Sequence, residues 1–104
     1  MNSITVIEVS GKEWFDKYYG NSYCSFRIVV HYSDKSTISI RVPFQYGGSS
    51  SFLQYANEEL KKSGIISSNA YSLYGYCAAN GIVLVSHLQD KCLKRDVVAY
   101  GKGD

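Results

Sequence analysis

Two runs of alternating residues, separated by a short polar break, confine this chain to a fold built on antiparallel strands. From Cys24 to Tyr32 the even positions are Cys24, Phe26, Ile28, Val30 and Tyr32, against Ser25, Arg27, Val29 and His31. From Thr37 to Phe44 the even positions are Ile38, Ile40, Val42 and Phe44, against Thr37, Ser39, Arg41 and Pro43. Period-two patterning in β-branched and aromatic residues is the mark of a half-buried strand. Ser33-Asp34-Lys35-Ser36 supplies turn formers between the runs. The pattern predicts a β-hairpin over about 23–32 and 37–46. Facing residues share a face, which is met by pairing Val30 with Ile40, Ile28 with Val42 and Phe26 with Phe44, leaving about three residues in the turn. Cys24 then lies opposite Tyr46. A one-residue slip would turn one apolar set into water. Pro43 cannot donate a ladder hydrogen bond, so the second strand is expected at a sheet edge. Gly20-Asn21-Ser22-Tyr23 and Gln45-Tyr46-Gly47-Gly48 should therefore meet at the open end.

The rest of the chain supplies elements to cover this hairpin. Ile4 to Val9 reads as a short strand. Gly11 to Tyr19, with Trp14, Phe15, Tyr18 and Tyr19 among charges, is expected as a helical turn or an irregular segment packed over the sheet. Ser49-Ser50-Ser51 offers N-caps for a helix over about 51–63, with Phe52, Leu53, Ala56 and Leu60 inward and Asn57, Glu58, Lys61 and Lys62 outward. Gly64 stops it. Ser67-Ser68-Asn69 caps a second helix over about 70–79, carrying Leu73 and Cys77, and Asn80-Gly81 ends it. Ile82-Val83-Leu84-Val85-Ser86 is a continuous apolar run, the candidate for a well-covered strand over about 82–88. Val97 to Tyr100 is expected to add a last short strand, and 101–104 to fray. The expectation is one α+β domain over 1–104: a mainly antiparallel sheet with two helices on one face.

Composition narrows the chemistry. Three cysteines, Cys24, Cys77 and Cys92, form no CxxC pair or Cys/His cluster. Neither a zinc site nor a disulfide framework is signalled, no metal or cofactor is expected, and reduced thiols point to the cytoplasm. The N-terminus carries no signal-peptide or membrane-span pattern. A net charge of +2 from 11 basic and 9 acidic residues is too mild to imply nucleic acid by itself. Catalysis requires a nucleophile beside a base, and the alternation sets Cys24 against His31, as a strand would set Cys92 against His87. Adjacent Glu58 and Glu59 diverge on their helix. A non-enzyme is expected.

Three surfaces remain. The first is the open end, Asn21, Tyr23, Gln45, Tyr46, Gly47 and Gly48, where glycines admit a partner close to the backbone and a helix begins; turn chemistry alone also explains these residues. The second is a basic sheet face of Arg27, His31 and Arg41, joined by Lys94 and Arg95, that could take an acidic partner or nucleic acid. The alternation places no aromatic on that face for base stacking, and a solvated face is the plainer reading. The third is tyrosine itself, ten in number, a residue enriched at protein interfaces and equally at home half-buried.

Gly20-Asn21-Ser22-Tyr23, Pro43-Phe44-Gln45-Tyr46-Gly47, the helix with Gln54, Ala56 and Leu60, Cys77 with Asn80-Gly81-Ile82, and Lys94-Arg95-Asp96 together resemble a family of small, mostly uncharacterised phage and prophage proteins. The resemblance spans roughly Trp14 to Asp96 and departs at Gly47-Gly48, where the family pattern has an aromatic between glycines. It implies a phage or mobile-element origin, a bacterial intracellular setting, and no assigned reaction. With it comes the expectation of a host-protein partner, such as a defence complex of the CRISPR kind. A homodimer through the exposed edge strand is a second expected partner, and weak nucleic-acid binding the alternative.

Overall fold

Seven elements follow one another in the computed structural model, which describes residues 3–48 and 51–102. They are β1 (Ile4–Asp16), β2 (Asn21–Tyr32), β3 (Thr37–Tyr46), α1 (Phe52–Lys62), α2 (Leu73–Ala79), β4 (Val83–Gln89) and α3 (Lys94–Lys102). The strands form one sheet in the order β3-β2-β1-β4. β2 pairs antiparallel with both β1 and β3, and β4 joins the far side of β1 in parallel after the chain crosses over through α1 and α2. The fold is α+β with a mainly antiparallel sheet. Ser49 and Ser50, two of the proposed caps, and the tail residues Gly103 and Asp104 lie outside the described residues.

The alternation decides which face is buried. Ile7 and Val9 of β1, Phe26, Ile28 and Val30 of β2, and Val42 of β3 meet Phe52, Ala56 and Leu60 of α1 and Leu73 and Cys77 of α2. Phe26 and Phe52 touch edge to face at 6.2 Å, and each large side chain buried here contributes about 1.5–3 kcal/mol. Asn57, expected outward, is buried, its Nδ2 donating to the Ala70 carbonyl at 3.4 Å. α2 begins later than expected, at Leu73, because Ser72 caps it by accepting from the Gly75 amide. Ser67 instead closes a turn onto Asn69 and Ala70.

The hairpin forms with its registry moved by two residues. Val30 faces Ile38, Ile28 faces Ile40, Phe26 faces Val42, Cys24 faces Gln45 and Tyr23 faces Tyr46. The loop is a three-residue one: Lys35 donates back to the Tyr32 carbonyl, Tyr32 donates to Ser36, and Lys35 takes a left-handed φ of 72°. A shift of two keeps every side chain on its face, so alternation cannot detect it. Between Cys24 and Phe26 the register breaks: Ser25 confronts both Pro43 and Phe44, a β-bulge that rotates Phe44 off the core face. β3 is an edge strand, as Pro43 requires.

Three further expectations are corrected. β1 does not stop at Val9 but runs to Asp16, with no helical turn over Gly11 to Tyr19. Gly11 hides this in the sequence; it is buried, and a Cβ there would stand 2.6 Å from the Ser25 carbonyl oxygen. β4 is not well covered: it forms the other edge, and Val83 and Val85 are exposed while Leu84 and Leu88 reach the core. Val97 to Tyr100 is not a strand, and Gly101 and Lys102 do not fray; they belong to α3. Val97 and Gly101, one helical turn apart, are both buried against the sheet. This docking overrides the strand preference of the valines.

α3 lies on the sheet face opposite α1 and α2. The Ser25 hydroxyl donates to the Val97 carbonyl, Arg41 Nη1 donates to the Tyr100 carbonyl at 3.0 Å, and the Tyr100 and Ser10 hydroxyls are 3.0 Å apart. A Cβ on Gly101 would come within 2.8 Å of Ser25 Cβ and 2.9 Å of Pro43 Cα. Gly101→Ala gains up to about 1 kcal/mol of helix propensity, but the overlap with backbone outweighs it. The variant is expected to lose about 1–3 kcal/mol of stability in urea denaturation, with faster amide exchange confined to α3.

Candidate partner-binding site

The open end of the hairpin is where the sequence-predicted residues meet, and β1 adds a third strand to it. Trp14, Tyr23 and Tyr46 occupy one rung across β1, β2 and β3. Trp14 stacks on Tyr23 at 5.4 Å, and Tyr23 meets Tyr46 edge-on at 5.7 Å. The bulge brings Phe44 flat against Tyr23, centroids 5.2 Å apart. The Lys94 ammonium sits 5.5 Å from the Trp14 ring centre and 6.0 Å from that of Phe44, a cation–π arrangement. These rings share the α3 face with Arg27 and Arg41, so the expectation of no aromatics there is overturned.

Beside this cluster the β1–β2 turn projects two more rings. Asp16 Oδ1 accepts from the Tyr18 amide at 2.9 Å and the Gly20 amide returns to the Asp16 carbonyl at 2.7 Å. The turn is thereby fixed while Tyr18 and Tyr19 remain 85% and 73% exposed. Across from it, the segment after β4 is held by the Cys92 amide donating to the Glu13 carbonyl at 3.0 Å. Between turn and segment lies an open groove of about 870 Å³, walled by Trp14, Phe15, Lys17, Tyr18, Cys92 and Leu93.

The remaining predicted residues divide. Asn21 pairs with Asp16 at the start of β2. Gln45 pairs with Cys24, and its Nε2 is buried without a partner. Gly47 and Gly48 are buried, so they shape the corner from within. Gly47 holds φ of 124° with its amide on the Ser22 carbonyl at 2.9 Å, and a Cβ there would strike Tyr55. On the basic face Arg27 and Arg41 are direct cross-strand partners. His31 is held apart from them by Glu8, 2.7 Å away. Lys94 and Arg95 open α3, Lys94 over the rings and Arg95 in solvent. The sequence reading missed Trp14 and Phe44 as surface aromatics. Trp14 carried a signal, standing in period two with Ser10 and Lys12, whereas the turn of Phe44 depends on the bulge.

No protein-family model, curated protein or solved structure matches this chain. No helix of the described residues is long and apolar enough to cross a membrane. Among them no group of three or more His, Cys, Asp or Glu is placed to hold a metal ion.

The two buried thiols, Cys24 next to the aromatic rung and Cys77 on α2, pack as small hydrophobes. Burial pushes Cys24 from 9.0 up to about 11, with the Glu13 carboxylate on the facing rung adding to the shift, and burial also raises Cys77. Both are protonated at neutral pH and are weak nucleophiles. The folded state binds the Cys24 proton more tightly than the unfolded chain. The stability from this thiol is therefore complete below pH 9.0 and drains away as pH rises from 9.0 towards about 11. Urea midpoints in reductant at pH 8, 9, 10 and 10.5 should show the wild type falling faster than Cys24→Ala over that interval.

Proposed function

We propose that this chain is a non-catalytic accessory protein of a phage or mobile element that binds a host protein, acting as an inhibitor of a host defence complex. The observation that carries the reading is the gathering of Phe15, Tyr18, Tyr19, Tyr46 and Leu93, all at least half exposed, at one end of the sheet. Exposed apolar residues scattered singly need no explanation, but a concentration of aromatics on a firmly hydrogen-bonded scaffold is the composition of an interface centre. Tyrosine supplies contact area with few rotatable bonds and a hydroxyl for the rim. The family resemblance supports the host setting.

Affinity capture from bacterial host lysate tests this. The wild type is expected to retain a stoichiometric host protein, Tyr18→Ala with Tyr19→Ala to weaken retention at least tenfold, and Tyr71→Ala with Tyr74→Ala, on the α2 side, to leave it unchanged. Absence of a stoichiometric partner, or equal retention by the first pair, overturns the reading.

Weak binding of single-stranded nucleic acid is the second reading, favoured by one observation: Lys94 over the Trp14 and Phe44 rings sets cation and stacking surface side by side. Oligonucleotide titrations should then show affinity that drops steeply between 50 and 200 mM salt, as phosphate contacts dictate, and that is lost in Tyr46→Ala. Binding indifferent to salt removes this reading.

A further inference from the structure

Lys12 of β1, Arg27 of β2 and Arg41 of β3 stand on the α3 face of three adjacent strands. Arg27 and Arg41 oppose each other directly, a like-charge placement that costs a sheet stability. Ser10 is the β1 partner of Arg27, which puts Lys12 on the next same-face position. The three cations line a pocket of about 310 Å³ whose other wall is Asp96, Ala99 and Tyr100 of α3.

The charges in this pocket are not compensated from within. Among the described residues, none of the three cations lies within 4.0 Å of a carboxylate. Glu8, on the same face, is engaged by His31, and Asp96 lines the pocket without reaching a cation. Arg41 donates to the Tyr100 carbonyl and the Lys12 ammonium rests 5.4 Å from the Tyr100 ring centre, so both are positioned by α3. The Arg27 Nε–H is buried with no partner. A buried donor left unmade is expensive, the more so on a charged group.

We propose that this pocket binds a phosphate-class oxyanion, held jointly by Lys12, Arg27 and Arg41. A tetrahedral oxyanion offers several acceptor oxygens at once, suits guanidinium forks, and carries the charge needed against three cations and one carboxylate. The volume admits a phosphate group but stands at the lower limit for a drug-sized ligand. The pocket therefore reads the phosphate and leaves the rest of the molecule outside. The site is separate from the aromatic end and stands whether or not that end engages a protein.

The test uses the full chain in chloride buffer at constant ionic strength, with inorganic phosphate as the probe. Phosphate is expected to raise the melting temperature of the wild type saturably and to shift the amide resonances of Lys12, Arg27, Arg41 and Tyr100. Arg27→Met, which removes both the opposed charge and the orphan donor, should melt no lower than wild type without phosphate yet show less than a third of the phosphate-induced rise. No saturable rise in the wild type, an equal rise in the variant, or a variant that melts several degrees lower without phosphate would each overturn the site. A ten-nucleotide oligothymidylate in a further arm separates the sources: displacing phosphate assigns the site to a nucleic-acid backbone, and failing to displace it assigns the site to a small phosphate or phosphate ester.

Discussion

One close approach governs the molecule: the point where Ser25 of β2, the Pro43–Phe44 bulge of β3 and Gly101 of α3 come together. Ser25 is fully buried and gives its hydroxyl to the Val97 carbonyl. Pro43 has no N–H to leave unpaired where the ladder breaks. Gly101 has no side chain to hold the helix away. Were any of the three larger or more polar, α3 would ride higher over the sheet. It would then set Lys94 away from the Trp14 and Phe44 rings and Tyr100 away from Lys12 and Arg41. Both candidate surfaces therefore inherit their geometry from a single packed junction.

Much of the sheet was legible because alternation reports directly on faces. The positions of β2 and β3, the edge placement forced by Pro43, and the meeting of Tyr23 with the Gln45–Gly48 corner all followed from it. Registry did not, since a two-residue slip preserves every face and is decided by the turn, where Lys35 takes its left-handed conformation. β1 was read short because Gly11 breaks the apolar pattern, and the need for that glycine lies on its neighbours, Ser25 and Phe26. Val97-Val98 favours a strand locally, and only the docking of Val97 and Gly101 makes it helical. That β4 is an edge is a property of the sheet order and is written nowhere in its own residues.

The corner residues were found as neighbours, but their division of labour was not. Gly47 and Gly48 turned inward, leaving the accessible surface to Tyr46 and to Tyr18 and Tyr19 of the preceding turn. The basic residues likewise separated, with His31 paired to Glu8, Arg27 half-buried beneath α3 and Arg41 at its exposed rim, tied to the Tyr100 carbonyl. Charge counting treated these as one solvated face. Only a helix on that face could turn two opposed arginines and a lysine from a surface stripe into a concavity.

The two rims of the sheet are guarded unequally. β3 presents Arg41, Pro43 and a kinked backbone, three devices that discourage another strand from adding there. β4, from Val83 to Gln89, contains no charged residue, proline or bulge, and turns two valines to solvent. Self-templating growth at high concentration should begin from this unprotected margin, and a lysine in place of Val85 is the kind of gatekeeper that would close it.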